Sequence, residues 1–125
     1  MEAGVKDKKI AVIGVSPREE KFGFRIFRDL LQNGFQVEGV HPLAPEVLGR
    51  KTYKNLSALP HPPDLVITVV PGQVTEKVVE ECKSLGIKEI WMQPGSESQA
   101  AIKQAENYGM AVTHDACFMV EQGLW

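Results

Sequence analysis

Four short apolar runs in this chain each end in turn-forming residues, and this pattern limits the possible folds more than any other feature. Residues 8–14 run into Val15-Ser16-Pro17, residues 35–40 into His41-Pro42, residues 64–70 into Pro71-Gly72, and residues 88–93 into Pro94-Gly95. The runs are short and rich in β-branched residues, as buried strands are, and helical patterns follow most of them. This alternation predicts an α/β fold whose parallel strands all end at one edge of a sheet. In open sheets of this kind, ligands bind outside that edge.

Apolar stripes at helical spacing predict the helices between these strands. The first stripe covers residues 22–31 and stops at Gly34, and the second covers residues 74–85 and stops at Gly86. A capping box with Ser96 as N-cap and Gln99 at N3 opens a third helix, which ends near Tyr108. Three weaker elements complete the order: a short edge strand at Lys51–Tyr53, a last strand at Met110–Thr113, and a short helix within Asp115–Gln122. Together these elements predict a doubly wound sheet with right-handed crossovers and helices on both faces.

Composition limits both the size of the fold and the classes of partner. At 125 residues the chain is expected to form one domain, with residues 1–7 a poorly ordered lead-in. The net charge of −2 gives no reason to expect a nucleic acid or a membrane surface as partner. Two cysteines cannot supply a four-thiolate metal site or a disulfide framework, and the start of the chain lacks the apolar core of a secretion signal. We therefore expect a cytoplasmic protein without a metal.

The end of the first strand is the first candidate for ligand binding. Gly14, Val15 and Ser16 would bring backbone close to a pyrophosphate, at the start of a helix with free N–H groups. Arg18 or Lys21 would supply positive charge, with Phe22 and Gly23 nearby in the strand-to-helix connection. The segment is not G-x-G-x-x-G, however, and it would serve equally as a plain turn with a solvated charged face. Both interpretations stand at this point.

The other strand ends narrow the choice of ligand. Dinucleotide sites that prefer NAD place an acidic residue at the end of the second strand, where this chain has His41 and Pro42. Glu38 comes too early in that strand, so NAD is disfavoured. Val70-Pro71 and Gln93 would suit an adenine or a thin extended chain better than a highly charged substrate, although each segment alone is also ordinary turn chemistry.

His114, Asp115 and Cys117 form a second candidate constellation near the end of the chain. A histidine beside a cysteine could activate a thiolate for nucleophilic attack. Neighbours in sequence often point apart, however, and a cysteine beside an apolar stretch usually packs in a core. Packing is the favoured interpretation of Cys117.

Six segments, taken in order, resemble a known family. They are VIGVSP with KFGF, VEGVHP, VLGRKTYKNLSALP, DLVITVVP, IWMQPGSES and GMAVTHDACFMVE. Together they are similar to the stand-alone CoA-binding domain proteins, and to the N-terminal CoA-binding domain of the succinyl-CoA synthetase α subunit. The resemblance runs from about Lys8 to Glu121. It implies a Rossmann-like three-layer α/β/α fold with a five-stranded parallel sheet that binds coenzyme A.

The resemblance also implies roles for individual residues. The segment Gly14–Ser16 would lie against the CoA phosphates with residues 21–23 nearby, and His41-Pro42 would flank the adenosine in place of the family's Asn-Pro. Val70-Pro71 would line the adenine or pantetheine path, and Gln93 would face the thiol-bearing arm. The lysine that often follows Asn-Pro, a natural partner for the 3′-phosphate, is Leu43 here. Arg18, Arg50 or Lys51 could replace it.

The resemblance implies no ligase reaction for this chain alone. In the synthetase a second domain carries the phosphorylated histidine and another subunit grasps the nucleotide triphosphate, and no G-x-x-x-x-G-K motif is present here. Our first hypothesis is a module that binds CoA or acyl-CoA without turnover, as a homo-oligomer or beside a larger catalytic partner. The alternatives are an NAD(P)-binding redox sensor, a Cys117-dependent enzyme acting on acyl thioesters, and an interaction subunit with a vestigial site. For the first hypothesis, a β-branched residue at Gly14 is expected to abolish binding with the fold largely kept.

Overall fold

The strand β1 (Lys9–Ile13) is the centre of the sheet in the computed structural model, which describes residues 4–125. Six further strands surround it: β2 (Gln36–Val40), β3 (Glu46–Val47), β4 (Arg50–Tyr53), β5 (Leu65–Thr68), β6 (Glu89–Met92) and β7 (Ala111–Thr113). The order across the sheet is β3-β4-β2-β1-β5-β6-β7. Every pairing is parallel except that of β3 with β4. The Rossmann-like α/β fold is therefore confirmed.

Four helices cover the two faces of this sheet: α1 (Phe22–Gln32), α2 (Gly72–Leu85), α3 (Gln99–Asn107) and α4 (Phe118–Glu121). Alternate residues of β1 point to opposite faces, because side chains in a strand alternate. Ile10 and Val12 pack with the apolar side chains of α1 and α4, while Ala11 and Ile13 pack with those of α2 and α3. Both faces of the central strands are buried, which is why these strands are almost continuously apolar in sequence.

The strand count corrects the predicted five-stranded parallel sheet, because β3 and β4 form an additional antiparallel hairpin at one edge. The two residues of its turn, Leu48 and Gly49, both have positive φ (55° and 72°). Asparagine and glycine are the usual residues in such a turn, so a leucine there gives little sequence indication of a hairpin. The two-residue strand β3 is also too short for any hydrophobic periodicity to reveal. The predicted edge strand at Lys51–Tyr53 lies within β4, one strand in from the edge.

The start of α3 also differs from prediction. Ser98, rather than Ser96, is the N-cap, and its hydroxyl accepts a hydrogen bond from the Ala101 N–H. Ser96 is instead buried, and its hydroxyl donates to Thr68 Oγ1 at 2.7 Å and lies 2.9 Å from Thr75 Oγ1. These three hydroxyls join the end of β5, the first turn of α2 and the loop after β6, so they fix the relative positions of two loops at the carboxyl edge.

The sequence predicts a poorly ordered start of the chain over residues 1–7. Residues 1–3 lie outside the described part of the chain, and Val5–Asp7 form a short 3-10 turn before β1.

A second 3-10 turn, Leu56–Ala58, is capped by the Asn55 side chain, which accepts a hydrogen bond from the Ala58 N–H.

We predict that Ser96→Ala lowers the free energy of unfolding by about 1–3 kcal/mol, because it leaves two buried threonine hydroxyls short of a partner. Ser84→Ala is the matched control, since the Ser84 hydroxyl is exposed and bonds only the Glu80 carbonyl of its own helix. Urea unfolding of both variants measures the difference. Equal stability of the two variants would contradict a structural role for the buried hydroxyl network.

Candidate functional site

The carboxyl ends of β1, β2 and β5 meet at an open cavity of about 410 Å³. Eleven residues line it: Gly14, Val15, Ser16, Lys21, Phe22, Gly23, His41, Pro42, Val69, Val70 and Pro71. All the predicted site residues are in this set except Arg18 and Gln93, and Val69 is an addition. The sequence did not identify Val69 as a site residue, because it is the second-last residue of the apolar run 64–70 and resembles any buried strand residue. The fold thus brings together most of the candidate residues, although they are far apart in sequence.

Two glycines allow the end of β1 and the start of α1 to approach within backbone contact. A Cβ placed on Gly23 would lie 1.9 Å from the Gly14 carbonyl oxygen, and a Cβ on Gly14 would lie 2.5 Å from the Val69 carbonyl oxygen. Gly14 also has a φ of +101°, which L side chains rarely adopt. A side chain at Gly14 would therefore disturb the fold as well as the cavity. The expectation that a β-branched residue at Gly14 would leave the fold largely intact is wrong for this physical reason.

The first turn of α1 lies at this cavity, and among residues 4–125 no side chain of the N-cap bonds its backbone N–H groups. Lys21 is its N-cap and makes no side-chain capping bond, so the N–H groups of the first turn have no partner within the helix. The partial positive charge of a helix N-terminus adds to the Lys21 ammonium, for which the described residues provide no ion pair. Val15 is buried and packs beside Gly39, so it offers the cavity little beyond its backbone. This end of the cavity has the electrostatics of an anion site.

Arg18 lies outside the lining of the cavity. Its guanidinium pairs with Glu20 at 2.7 Å, and both side chains are largely exposed. A backbone hydrogen bond within Glu20, together with the charge of Arg18, lowers the pKa of the Glu20 carboxyl. The Ser16 hydroxyl accepts a hydrogen bond from the Arg18 N–H at 3.1 Å, which holds the loop in place. Arg18 would have to leave Glu20 to reach an anion in the cavity.

The imidazole of His41 organises the loop after β2. Its Nδ1 accepts hydrogen bonds from the Leu43 N–H at 3.0 Å and the Ala44 N–H at 2.8 Å. A single acceptor that binds two following N–H groups is what an asparagine side chain supplies in an Asx turn. His41 therefore supplies the loop with the same acceptor that an asparagine would supply. Because Nδ1 is an acceptor, the ring proton is on Nε2, which has no hydrogen-bond partner in the described part of the chain.

The three cations suggested as replacements for a lysine at Leu43 lie in different places. Leu43 is 87% exposed. Arg50 is at the amino end of β4, 4.0 Å from Glu38, and is therefore on the wrong edge of the sheet. Lys51 extends its ammonium to 5.2 Å from the centre of the Tyr53 ring, toward the carboxyl end. Among these three, Lys51 is best placed to approach a ligand at the carboxyl edge beside His41. Glu38, on the other hand, cannot act as the acidic residue of an NAD site there.

Gln93 is 5% exposed and lines a second, adjoining cavity of about 290 Å³. Its Oε1 accepts a hydrogen bond from the Phe118 N–H at 2.7 Å, and its Nε2 donates to Cys117 Sγ at 3.4 Å. Both ends of the amide are thus engaged in holding the start of α4 against β6. Gln93 shapes this cavity, and one donor and one acceptor site of its amide are already used within the protein.

The two thiols have different environments. Cys82 is fully buried, and this burial raises the pKa of its thiol to about 12, so it stays protonated and unreactive. Cys117 is only partly buried and lines the 290 Å³ cavity. Its neighbour in sequence, His114, is hydrogen-bonded to Asp115, and within residues 4–125 no bond joins that imidazole to Cys117. The histidine–cysteine pairing considered from sequence is therefore not formed.

A cavity of about 420 Å³ lies at the opposite edge of the sheet. Residues from the amino ends of β1, β2 and β4 line it, including Lys9, Gln36 and Arg50. It contains no helix N-terminus and no glycine at a close backbone approach. On these grounds the carboxyl edge is the better candidate site, although its 410 Å³ cavity is more open than this one.

No helix between residues 4 and 125 combines the length and apolar character needed to cross a membrane. The described residues also bring no three histidine, cysteine, aspartate or glutamate side chains together in a way that could hold a metal ion.

A family of CoA binding domains matches residues 8–123, nearly the whole of the chain. The chain belongs to this family. The resemblance recognised in the ordered sequence segments is thus confirmed. The CoA binding domain of this chain is also similar to acetate–CoA ligase (ADP-forming) I from Archaeoglobus fulgidus, with 33% identity over 94% of this chain and 18% of the ligase.

Two solved structures have the same architecture. A conserved hypothetical protein from Pyrococcus furiosus is 38% identical, with 91% of this chain and 98% of that chain covered and a TM-score of 0.87. The apo form of a dinucleotide forming acetyl-coenzyme A synthetase 1 from Ca. Korarchaeum cryptofilum is 28% identical, with 86% and 26% covered and a TM-score of 0.74. This CoA binding domain therefore spans about a fifth of the ligase and about a quarter of the synthetase, but nearly all of the small Pyrococcus protein.

We predict that Gly14→Ala costs about 2–3 kcal/mol more stability than Gly34→Ala. Both glycines have positive φ (101° and 80°), so each substitution introduces backbone strain, roughly 1–2 kcal/mol in a left-handed conformation. A Cβ at Gly34 meets nothing within 4 Å, whereas a Cβ at Gly14 overlaps the Val69 carbonyl. Denaturant unfolding compares the two variants, and equal losses would show that β1 and β5 can separate without cost.

We predict that His41→Asn keeps the stability of the protein, whereas His41→Ala loses about 1 kcal/mol. Asparagine retains an acceptor for the two backbone N–H groups, and alanine does not. The midpoints of urea unfolding distinguish the two variants. If asparagine were as destabilising as alanine, Nδ1 would not be the feature of His41 that holds the loop.

Proposed function

We propose that this protein binds coenzyme A or an acyl-CoA at the carboxyl edge of its sheet and does not turn it over alone. The observation that carries the proposal is the 410 Å³ cavity, in which Gly14, the unpaired first turn of α1 and Lys21 come together. The identity of the proposed ligand is inferred from membership of the CoA binding domain family. A helix N-terminus beside a close glycine is a physical match for a pyrophosphate.

In the proposed arrangement, each part of the ligand lies beside protein groups of complementary charge or polarity. The pyrophosphate would lie over the loop Gly14–Ser16 and the first turn of α1, with Lys21 and, after it leaves Glu20, Arg18 as counter-charges. The adenosine would lie between the ends of β1, β2 and β5, where His41 offers Nε2–H and Pro42 and Pro71 offer apolar surface. Lys51 is the proposed partner of the 3′-phosphate in the absence of a lysine at position 43. The pantetheine arm would pass Val69 and Val70, which also line an adjoining cavity of about 340 Å³.

The surroundings of Cys117 support the proposal that the chain does not turn the ligand over alone. In the described part of the chain, Cys117 has no hydrogen bond to an imidazole, and its bond is with the Gln93 amide. Since the synthetases it resembles are several times longer, a larger catalytic partner or a second copy of this chain is a proposed partner. Two free thiols fit a reducing cytoplasm. No nucleic acid or membrane surface is proposed.

The test is thermal unfolding of the protein with CoA, dephospho-CoA, NAD, NADP and ATP, each at the same concentration. A ligand that binds only the folded state stabilises it by roughly 2.7 kcal/mol at a hundredfold excess over its dissociation constant. We expect CoA to raise the midpoint most and dephospho-CoA less, because the latter lacks the phosphate assigned to Lys51. A rise with NAD alone would overturn the proposal in favour of a redox sensor, and no rise with any ligand would favour a vestigial site.

Lys21→Gln provides the matched variant for the same measurement. We expect it to weaken CoA binding about tenfold, because it removes a charge beside the pyrophosphate, a loss of about 1.4 kcal/mol. Lys103→Gln, an exposed lysine on α3, is the control and should leave CoA binding unchanged. Equal affinities for the two variants would mean that the phosphates do not lie at the start of α1.

A further inference from the structure

The 290 Å³ cavity lies directly beside the proposed CoA cavity. Phe22 and Val69 line both. The remaining lining residues of the second cavity are Ile26, Gln93, Pro94, Cys117 and Trp125. A ligand whose pantetheine arm runs past Val69 would therefore deliver whatever it carries on sulfur into this second cavity.

The lining of the second cavity fits a neutral apolar group. Five of its side chains are hydrocarbon or aromatic, and no charged side chain is among them. The two polar side chains, Gln93 and Cys117, are bonded to each other, and the Gln93 carbonyl is taken by the Phe118 N–H. A carboxylate entering this space would lose its water without gaining a cation. A hydrocarbon chain has no such favourable hydration to lose.

Trp125 forms the outer wall of this cavity and is held there by two contacts. Its indole Nε1 donates to Asp29 Oδ2 at 2.7 Å, and its ring lies 6.2 Å from the ring of Phe22, centre to centre. The hydrogen bond from Arg28, and then that from Trp125, lower the pKa of the Asp29 carboxyl, so the acceptor is ionised at neutral pH. Phe22 and Trp125 are nonetheless 61% and 43% exposed. Two large aromatic faces are thus left in water at the mouth of an apolar space.

We propose that the space between Phe22, Val69, Pro94 and Trp125 is an acyl-binding pocket, which makes a CoA thioester of a short, uncharged fatty acid the preferred ligand over free CoA. This inference rests on the proposed CoA site, since the pocket is reached along the same arm. Each methylene that leaves water for such a pocket tightens binding about fourfold. Affinity should accordingly rise from acetyl-CoA to butyryl-CoA, and the increment should depend on Trp125.

The first experiment is isothermal titration calorimetry with desulfo-CoA, acetyl-CoA, butyryl-CoA and succinyl-CoA. Desulfo-CoA serves as the reference without an acyl group and without a thiol that dissolved oxygen could couple to Cys117 as a mixed disulfide. We expect butyryl-CoA to bind at least tenfold more tightly than desulfo-CoA, and succinyl-CoA to bind no more tightly than acetyl-CoA. Equal affinities for all four ligands would overturn the acyl pocket and leave the CoA site standing. No binding by any ligand would overturn both.

The variant Trp125→Ala tests the acyl pocket independently of the rest of the proposed CoA site. We expect this variant to keep its affinity for desulfo-CoA and to lose most of the gain seen with butyryl-CoA. Leu48→Ala is the control, because it also removes an exposed apolar side chain but lies in the turn between β3 and β4. A butyryl gain that survives in Trp125→Ala as fully as in the control would place the acyl group elsewhere.

Alkylation of Cys117 gives an independent reading of where the acyl group lies. Iodoacetamide should modify Cys117 in the native protein and spare the buried, protonated Cys82. At saturating concentrations of each ligand, butyryl-CoA should slow modification of Cys117 at least fivefold more than desulfo-CoA. Intact mass after removal of the ligand checks that the protection is not due to acyl transfer to sulfur. Equal modification rates under the two ligands would contradict the proposal, whatever the calorimetry shows.

Discussion

The contact between the end of β1 and the start of α1 is the constraint on which the rest of the site depends. The backbone of Gly23 lies so close to the Gly14 carbonyl that Gly23 has no room for a side chain, and Gly14 has none because the Val69 carbonyl lies against it just after β5. This approach brings the unpaired N–H groups of the helix to the carboxyl edge. It also places the cavity over three strand ends at once. Sheet, helix and anion site are therefore consequences of the same backbone packing.

The rest of the carboxyl edge is held rigid by polar groups that are satisfied internally. Ser96 joins Thr68 and Thr75, and Gln93 ties β6 to α4. His41 fixes the loop after β2 in the same way, with one ring nitrogen used for structure and the other left for a ligand. Residues that look like ligand-binding groups in sequence thus divide into those that build the edge and those that face the cavity. Preorganisation of this kind lowers the entropic cost of ordering the site when a ligand binds.

The proposed acyl pocket gives a physical reason for two exposed aromatic residues. Phe22 starts α1 and Trp125 lies near the end of α4, and they come together only because α1 and α4 share one face of the sheet. Large aromatic side chains that are exposed side by side are typical of binding surfaces. Here it faces a space continuous with the proposed CoA site, which is where the acyl end of a thioester would arrive.

The sequence determined the class of fold and most of the lining of the 410 Å³ cavity, because both depend on local patterns. Apolar runs ending in turns define parallel strands, and parallel strands bring their carboxyl ends to one edge, so Gly14, His41 and Val70 could be placed together without coordinates. What the sequence could not determine is of two kinds: the backbone conformation at single positions, and contacts between distant segments. The turn at Leu48 and the cap at Ser98 needed the backbone conformation, since leucine is rare at positive φ and a nearby serine made an equally good cap. The engaged amide of Gln93 and the position of Arg50 on the far edge were decided by tertiary structure alone. Hydrogen-bond partners of long polar side chains are chosen by whatever the fold places within reach, and no pattern along the chain records that choice.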